Sequence, residues 1–403
     1  MPAMSTPARR RAAVLAVAAG AAVNLVLAVV LLREPARAAD LRIVFDWCSR
    51  WLRHGEDLYA TLSSSVDYPP NAIVLFSPLA LIPPGVLVPL WAAITVVLTA
   101  AFAYVAVRVT APRATGEAAM VPILLFLCWG GVRMLLQFTR VTVTAAYAAV
   151  LYADSRPLAS GVLLAVGLSK PQIAGPIALW MLFTKRWRQL AVAGGVSLLA
   201  AAVYVIHAHA SPIGVLTGWT ATVRALYADP TALVGRTSIR RWTYGLAGDS
   251  SAADAMWAAG AVLLLIIPCG AALAEAGRRS SRAAAVPALF CLWSLLVWFH
   301  LGNDLVLLFP AFAFLLLLDD PPTHRGRMMI AAAMQIVLML DLPVHLIGYA
   351  PMLGPLSFLV ADADRLMTIG VFFYLAFLWW RLRDGPEQPG ARPRHRSGEF
   401  SQS

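Results

Sequence analysis

Charge is what this sequence has least of: 13% of its 403 residues are Asp, Glu, Lys or Arg, against about 25% in an ordinary soluble chain. Lysine is scarcer still, with Lys170 and Lys185 alone. The four cysteines, Cys48, Cys128, Cys269 and Cys291, form no Cys-x-x-Cys pair, so neither a zinc module nor a disulfide framework is suggested. Period-two alternation of polar and apolar residues is also missing, which leaves helices as the way to bury this chain in lipid. The two long polar intervals, 40–84 and 207–253, hold no Asp-x-Asp pair. No divalent metal and no other cofactor is inferred.

Apolar residues fill the space that charge leaves. They make up 60% of the chain, and the mean hydropathy is +0.72, which is the composition of an integral membrane protein. At ~20 apolar residues per spanning helix the chain has room for roughly ten to twelve spans. The net charge of +11 would suggest nucleic acid in a soluble protein. Here the basic residues sit mostly in short turns between apolar runs, as the positive-inside rule places them, and no nucleic-acid partner is expected.

The expected fold is all-α: a polytopic membrane protein of about twelve transmembrane helices, with residues 1–384 as one domain and 385–403 as a disordered cytoplasmic tail. The runs are 12–32, 86–107, 118–136, 141–152, 158–168, 173–183, 190–206, 255–274, 285–299, 305–318, 328–347 and 366–380. The first exceeds the ~7–15 residues of a signal-peptide core and is read as a retained anchor, with Arg9, Arg10 and Arg11 holding its start in the cytoplasm. The interval 40–84 then lies outside. Leu41, Val44, Phe45, Cys48 and Leu52 fall at helical spacing and predict an amphipathic helix on the membrane surface. The run 71–82 is too short to span, is closed by Pro83 and Pro84, and is read as interfacial. That reading puts Arg108 and Arg113 in the cytoplasm, both termini on the same side, and the basic loop 207–253 outside.

This topology gathers Asp40, Asp46, Tyr68, Lys170, Gln172, Arg236, Arg240, Arg241, His300 and Asp304 on one face. Transfer of a sugar from a lipid phosphate needs a carboxylate to take a proton from the acceptor hydroxyl and cations to hold the leaving phosphate. Asp40 stands directly at the membrane boundary and is the candidate base; the plainer reading is a helix cap. Asp46 is the reserve, or the polar side of the same helix. Glu56, Asp57 and Asp67 read as loop solvation or capping. Lys170, before Pro171, suits a phosphate as a point charge, or snorkels as an anchor. Arg236, Arg240 and Arg241 beside Trp242 and Tyr244 suit a phosphate or lipid headgroups. His300 with Asp304 is a base or hydrogen-bond donor, or an interfacial polar pair.

Four short pieces recur in a familiar order: Asp40-Leu41-Arg42-Ile43-Val44-Phe45, Gly55-Glu56-Asp57-Leu58-Tyr59, Tyr68-Pro69-Pro70, and Ser77-Pro78-Leu79-Ala80-Leu81-Ile82-Pro83-Pro84. With Lys170-Pro171-Gln172, and with His300 before Asn303-Asp304-Leu305, they resemble glycosyltransferase family 87, polyprenyl-phosphate-mannose-dependent α-mannosyltransferases. The resemblance implies a glycosyltransferase C fold in the plasma membrane, with Asp40 as the catalytic Asp of the first extracytoplasmic loop. It also implies a polyprenyl-phosphate sugar donor, a glycolipid or glycan acceptor of the cell envelope, and no metal. Phe45 stands where the family usually has Tyr, which removes any hydroxyl role there. Two rival readings use the same face: a transporter or flippase of a lipid-linked or small solute, and an O-antigen-ligase-like enzyme acting on a lipid pyrophosphate.

Overall fold

The computed structural model describes residues 39–62, 65–114, 116–129, 137–228, 238–247, 250–276, 281–298, 300, 302–340 and 362–382. The expected first span, 12–32, the expected tail, 385–403, and Arg236 lie outside the described residues.

Every regular element among the described residues is helical. In chain order they are α1 (Ala39–His54), α2 (Leu58–Thr61), α3 (Pro70–Phe76), α4 (Pro84–Thr110), α5 (Gly116–Phe126), α6 (Thr139–Tyr152), α7 (Pro157–Gly167) and α8 (Pro171–Phe183). There follow α9 (Trp187–His207), α10 (Pro212–Ala228), α11 (Arg240–Ala247), α12 (Ser250–Glu275), α13 (Ser281–Val297), α14 (Phe309–Leu317), α15 (His324–Leu340) and α16 (Ala363–Arg381). Proline sets many of the starts. Pro70, Pro84, Pro157 and Pro171 stand at the first helical position, where a missing N–H costs nothing and the fixed φ favours the helix.

Among the described residues four helices are long and apolar enough to cross a membrane: α4, α9, α16 and the stretch Ser251–Glu275 of α12. They present large apolar side chains outward, such as Val97 at 67% exposure and Leu198 at 72%, a surface that suits lipid and not water. The other expected spans between α5 and α14 are shorter apolar helices packed among these. α13 and α14 are buried on almost every side, from Ala285 to Val297 and from Phe309 to Leu315. A helix that is apolar all round belongs in such an enclosed place, and neighbours shield the ends that are too short to reach across a bilayer. Between α5 and α15 the polar contact is specific: the Trp129 indole donates to Gln335 Oε1 at 2.8 Å, and Gln335 Nε2 donates to Leu125 O at 3.2 Å.

α1 is amphipathic as its spacing predicts, but protein covers the apolar stripe. Leu41, Val44, Cys48 and Trp51 pack against Ile73, Phe76, Ala80 and Tyr204, with the Trp51 and Tyr204 rings stacked at 5.7 Å. Its stripe therefore does not by itself place the helix on lipid. The run 71–82 forms α3 and the 3-10 turn Ser77–Leu81, too short to span, as expected. Arg53 Nη2 ties α1 to that turn by donating to Ala80 O at 2.7 Å.

The bundle has two chemically distinct ends. α6 and α8 run from the end that carries Lys170 to the end that carries Asp154, Lys185 and Arg186, and α14 runs from Asp304 toward Leu315, whose carbonyl accepts from Arg327 Nη1. Lys185, Arg186 and Arg327 thus stand at the end opposite Asp40, Lys170, His300 and Asp304.

Glycine decides how closely α7 and α9 approach. A Cβ on Gly161 would lie 2.6 Å from Val192 Cβ and 2.7 Å from Gln189 O, and a backbone oxygen cannot turn aside. Gly161→Leu is expected to lower stability by about 1–3 kcal/mol or more through overpacking, read as a lower unfolding midpoint in detergent. Gly194→Leu, at a position with open space around it, is the control and is expected to be far milder.

Candidate active site

Asp40 sits in the first turn of α1, where a carboxylate suits the helix N-terminus. Its Oδ2 accepts from Gln137 Nε2, a residue 97 positions away on the turn that opens α6. Two residues later Thr139 begins that helix and faces the interior. One short turn therefore touches the candidate base on one side and a buried polar network on the other.

That network centres on Asp304. Lys170 Nζ donates to Asp304 Oδ1 at 2.8 Å and to Thr139 Oγ1 at 2.7 Å, and Thr139 Oγ1 donates to Asp304 Oδ1 at 2.9 Å. His300 Nδ1 meets Asp304 Oδ2 at 3.2 Å, and His300 Nε2 meets Ser294 Oγ at 3.0 Å. Ser294 in turn donates to Gln172 O at 2.8 Å. Thr139, Lys170, Ser294, His300 and Asp304 are all buried. Because the carboxylate and the Gln172 carbonyl can only accept, the Ser294 hydroxyl proton goes to the carbonyl and His300 Nδ1 donates to Asp304. Arg140, fully buried on the first turn of α6, is a further cation within electrostatic reach of Asp304.

The sequence treated Lys170 and His300 as groups that reach into the site. The structure has both in contact with protein: the two imidazole nitrogens meet Asp304 and Ser294, and the lysine ammonium meets Asp304 and Thr139. Through Thr139, Lys170 also reaches the turn that holds Gln137. Gln172 contributes its backbone carbonyl. Asp46 lies elsewhere. It is exposed on α1, 3.9 Å from Arg50, which also binds Glu56 through Nε at 2.7 Å and Nη2 at 2.5 Å. Asp57 caps α2 by accepting from the Tyr59 amide at 3.2 Å. Both Glu56 and Asp57 thus have the local roles expected of them.

Tyr68 stands between Trp47 and Phe138, each with its ring centroid 6.1 Å away, and its carbonyl accepts from the Tyr59 hydroxyl at 2.7 Å. Surrounding protein pushes its phenol well above the ordinary value, and the carboxylates of Asp67, Asp304 and Asp40 add to the rise.

Asp67 is a neighbour of the candidate residues that the sequence read only as loop solvation or capping. It is exposed, yet protein crowds its carboxyl, and Lys170, Asp40 and Asp304 all act on it. Desolvation raises its carboxyl above the ordinary range, with Lys170 opposing the rise and the two other carboxylates supporting it. No local pattern marks an Asp before Tyr-Pro-Pro as different from a loop acid; only its neighbours do. Since the folded chain holds this proton more tightly than the unfolded one, stability is expected to fall as pH rises from the unfolded value of about 3.9 through the raised folded value. Asp67→Asn is expected to flatten that slope and to be the more stable form at neutral pH. Unfolding midpoints in detergent across the acid range check this, and parallel profiles for the two proteins would contradict it.

Of the second-loop arginines, Arg240 is a brace. It donates to Asp254 Oδ1 from Nη2 at 2.7 Å and from Nε at 3.2 Å, and its guanidinium stacks over Tyr244 and Trp257. Among the described residues no group of three His, Cys, Asp or Glu side chains is arranged to hold a metal ion. The one Asp-x-Asp spacing in this part of the chain, Asp362-Ala363-Asp364, has Arg365 against Asp362.

Comparison with known proteins gives one match. The profile of glycosyltransferase family 87 fits residues 67–298, more than half of the chain. That span includes Asp67, Tyr68, Gln137, Thr139, Lys170 and Arg240, begins after Asp40, and ends two residues before His300. No curated protein matches, and no solved structure does.

Proposed function

The chain belongs to glycosyltransferase family 87, and from that premise we propose that it moves a sugar, mannose, from a polyprenyl-phosphate donor to a hydroxyl of a cell-envelope glycolipid or glycan. It is a helical membrane glycosyltransferase. The observation that carries the finer reading is Asp40: a carboxylate at the head of α1, oriented by Gln137, above a buried network that holds Lys170, Arg140 and His300 around a single Asp304.

In this reading Asp40 takes the proton of the acceptor hydroxyl as its oxygen forms a bond to the anomeric carbon. The bond from that carbon to the phosphate oxygen breaks, and the electron pair leaves with the lipid phosphate. The proton ends on Asp40. The sugar is inverted, because attack and departure take place on opposite faces. Buried cations near the reacting centre favour the negative charge that collects on the leaving phosphate, and they act strongly because water is kept away. Tyr68, backed by the buried Trp47 and Phe138, offers an aromatic ring for the sugar or lipid. We place this site on the extracytoplasmic side of the plasma membrane: Lys185, Arg186 and Arg327 stand at the opposite end of the bundle, as basic residues of short turns do in the cytoplasm.

The test uses purified protein in liposomes, supplied with radiolabelled polyprenyl-phosphate mannose and an envelope glycolipid extract. A covalent mannosyl-glycolipid is the expected product. Label taken into the vesicles without any new covalent product would establish transport and overturn the reading.

A further inference from the structure

The loop between α2 and α3 is held in place by a helix that the transfer step above does not use. Residues 66–69 form no regular element, and Pro69 and Pro70 have no amide N–H to give to a neighbour. The two carbonyls in front of that pair accept from side chains instead. Trp219 of α10 donates from Nε1 to Asp67 O at 3.0 Å, across 152 positions of sequence, and the Tyr59 hydroxyl donates to Tyr68 O at 2.7 Å.

Gly218, next to Trp219, brings α10 this close. A Cβ there would lie 2.9 Å from Tyr59 Cβ and 3.1 Å from Tyr59 O, and neither atom can turn aside. Tyr59 is itself fixed: it is 4% exposed, its ring lies 5.4 Å from that of Tyr204, and the Leu58 amide before it donates to the Tyr204 hydroxyl at 2.9 Å. One residue of α10 therefore sets the distance to α2, and the next ties down the loop.

What this clamp presents is a carboxylate beside an aromatic ring. Asp67 is exposed although Val66 and Pro69 on either side are buried, and Tyr68 is half-buried with its ring 6.1 Å from both Trp47 and Phe138. Phe138 follows Gln137, which meets Asp40, so the pair adjoins the candidate base. An exposed carboxylate can accept from two adjacent hydroxyls, and an aromatic face covers the apolar side of a pyranose ring. Sugars offer both surfaces at once. Fixing the loop before the ligand arrives removes the ordering cost that binding would otherwise have to meet.

We propose that Asp67 and Tyr68 form a subsite for a sugar ring, and that Trp219 and Tyr59 are positioning residues that keep this subsite preformed. The sugar is either that of the lipid donor or the glycan of the acceptor, and its identity rests on the transfer reading. Asp67 binds hydroxyls here and leaves the proton transfer to Asp40.

Full-length protein in phosphatidylcholine nanodiscs is titrated with polyprenyl-phosphate mannose and with bare polyprenyl phosphate, so that the ratio of the two affinities reports the sugar alone. The variants are Asp67→Ala, which leaves the carbonyl that Trp219 holds, and Trp219→Phe, which keeps a ring and removes the N–H. Wild type is expected to prefer the sugar-bearing lipid, and Asp67→Ala to lose about tenfold of that preference, as when a hydrogen bond to a charged group is removed. Trp219→Phe is expected to lose a smaller part, and the double variant less than the sum of the two, because Trp219 acts through the loop that carries Asp67. Bare polyprenyl phosphate is expected to bind all of them as it binds wild type. A purely bracing tryptophan would lower the unfolding midpoint and leave the preference where it is.

Transfer assays on the same proteins distinguish the two sources. Lost preference assigns the donor's sugar, whereas wild-type preference with a raised KM for the glycolipid extract in both variants assigns the acceptor's glycan. The proposal is overturned if both variants keep the wild-type preference and the wild-type acceptor KM, or if bare polyprenyl phosphate loses as much affinity as the sugar-bearing lipid. Each of those results leaves the transfer reading standing when wild type forms covalent mannosyl product. Absence of that product sinks the transfer reading, and the titrations then decide the sugar subsite by themselves.

Discussion

Asp40→Asn is expected to reduce sugar transfer by about 10²–10⁴-fold, the range that removal of a general base commonly produces. The amide keeps the size of the carboxylate and can still meet Gln137, which contacts Asp40 Oδ2 in the native protein, so α1 is expected to form and the protein to insert normally. Donor binding is expected to change little, because the substituted group acts on the acceptor hydroxyl in the transition state and not on the lipid phosphate. The expected signature is a fall in kcat with the donor KM nearly unchanged. Gln137→Ala, which leaves the carboxylate in place and removes its orienting contact, is expected to fall between the two. Transfer by Asp40→Asn at the wild-type rate would remove Asp40 from the role of base and leave Asp67, a carboxylate close enough for Asp40 and Lys170 to act on it, as the residue to test.

The second large effect lies beneath the site. Asp304→Leu leaves Lys170 buried without the carboxylate that it meets at 2.8 Å, Arg140 without its counter-charge and His300 without the partner of its Nδ1. Breaking a buried pair from one side costs about 3–5 kcal/mol, because the remaining charge keeps its desolvation penalty. The double change Asp304→Leu with Lys170→Met removes both partners and is expected to recover a substantial part of the loss, although Arg140 and His300 remain. Unfolding midpoints of the three proteins in detergent form a cycle that isolates the coupling. If Asp304→Leu alone unfolds within experimental error of wild type, the network does not have the structural weight assigned to it. Activity is expected to fall with stability, since Thr139 and Gln137 stand on the turn that this network anchors.

Several features of the fold are local and were legible in the residues. The surface helix expected over 41–52 appears as α1, and the run 71–82 forms α3 and a 3-10 turn instead of a span. The expected runs 86–107, 158–168, 173–183 and 190–206 lie within one residue or a few of α4, α7, α8 and α9. Prolines at 70, 84, 157 and 171 mark starts that need no tertiary information. The reason given for α1 was incomplete, because an apolar stripe states that something covers it without saying whether protein or lipid does. Burial against Tyr204 and Ile73 answers that question.

The roles of charged residues were legible only in part. Lysine, histidine and arginine at helix ends could each be counted toward a substrate, and nothing nearby in sequence distinguishes an ammonium that reaches a cleft from one that meets Asp304 134 positions later. Gln137 on Asp40, Thr139 on Asp304 and Arg365 on Ser238 join residues 97, 165 and 127 positions apart. Composition and periodicity by themselves determined a helical membrane protein, because apolar runs and the short-range preferences of proline act within a few residues. Only the tertiary structure decided that Lys170 meets Asp304, that Gln137 meets Asp40, and that Lys170, Asp40 and Asp304 all act on Asp67. Desolvation and charge pairing depend on what the whole bundle brings within a few ångströms, and no short stretch of the chain contains that information.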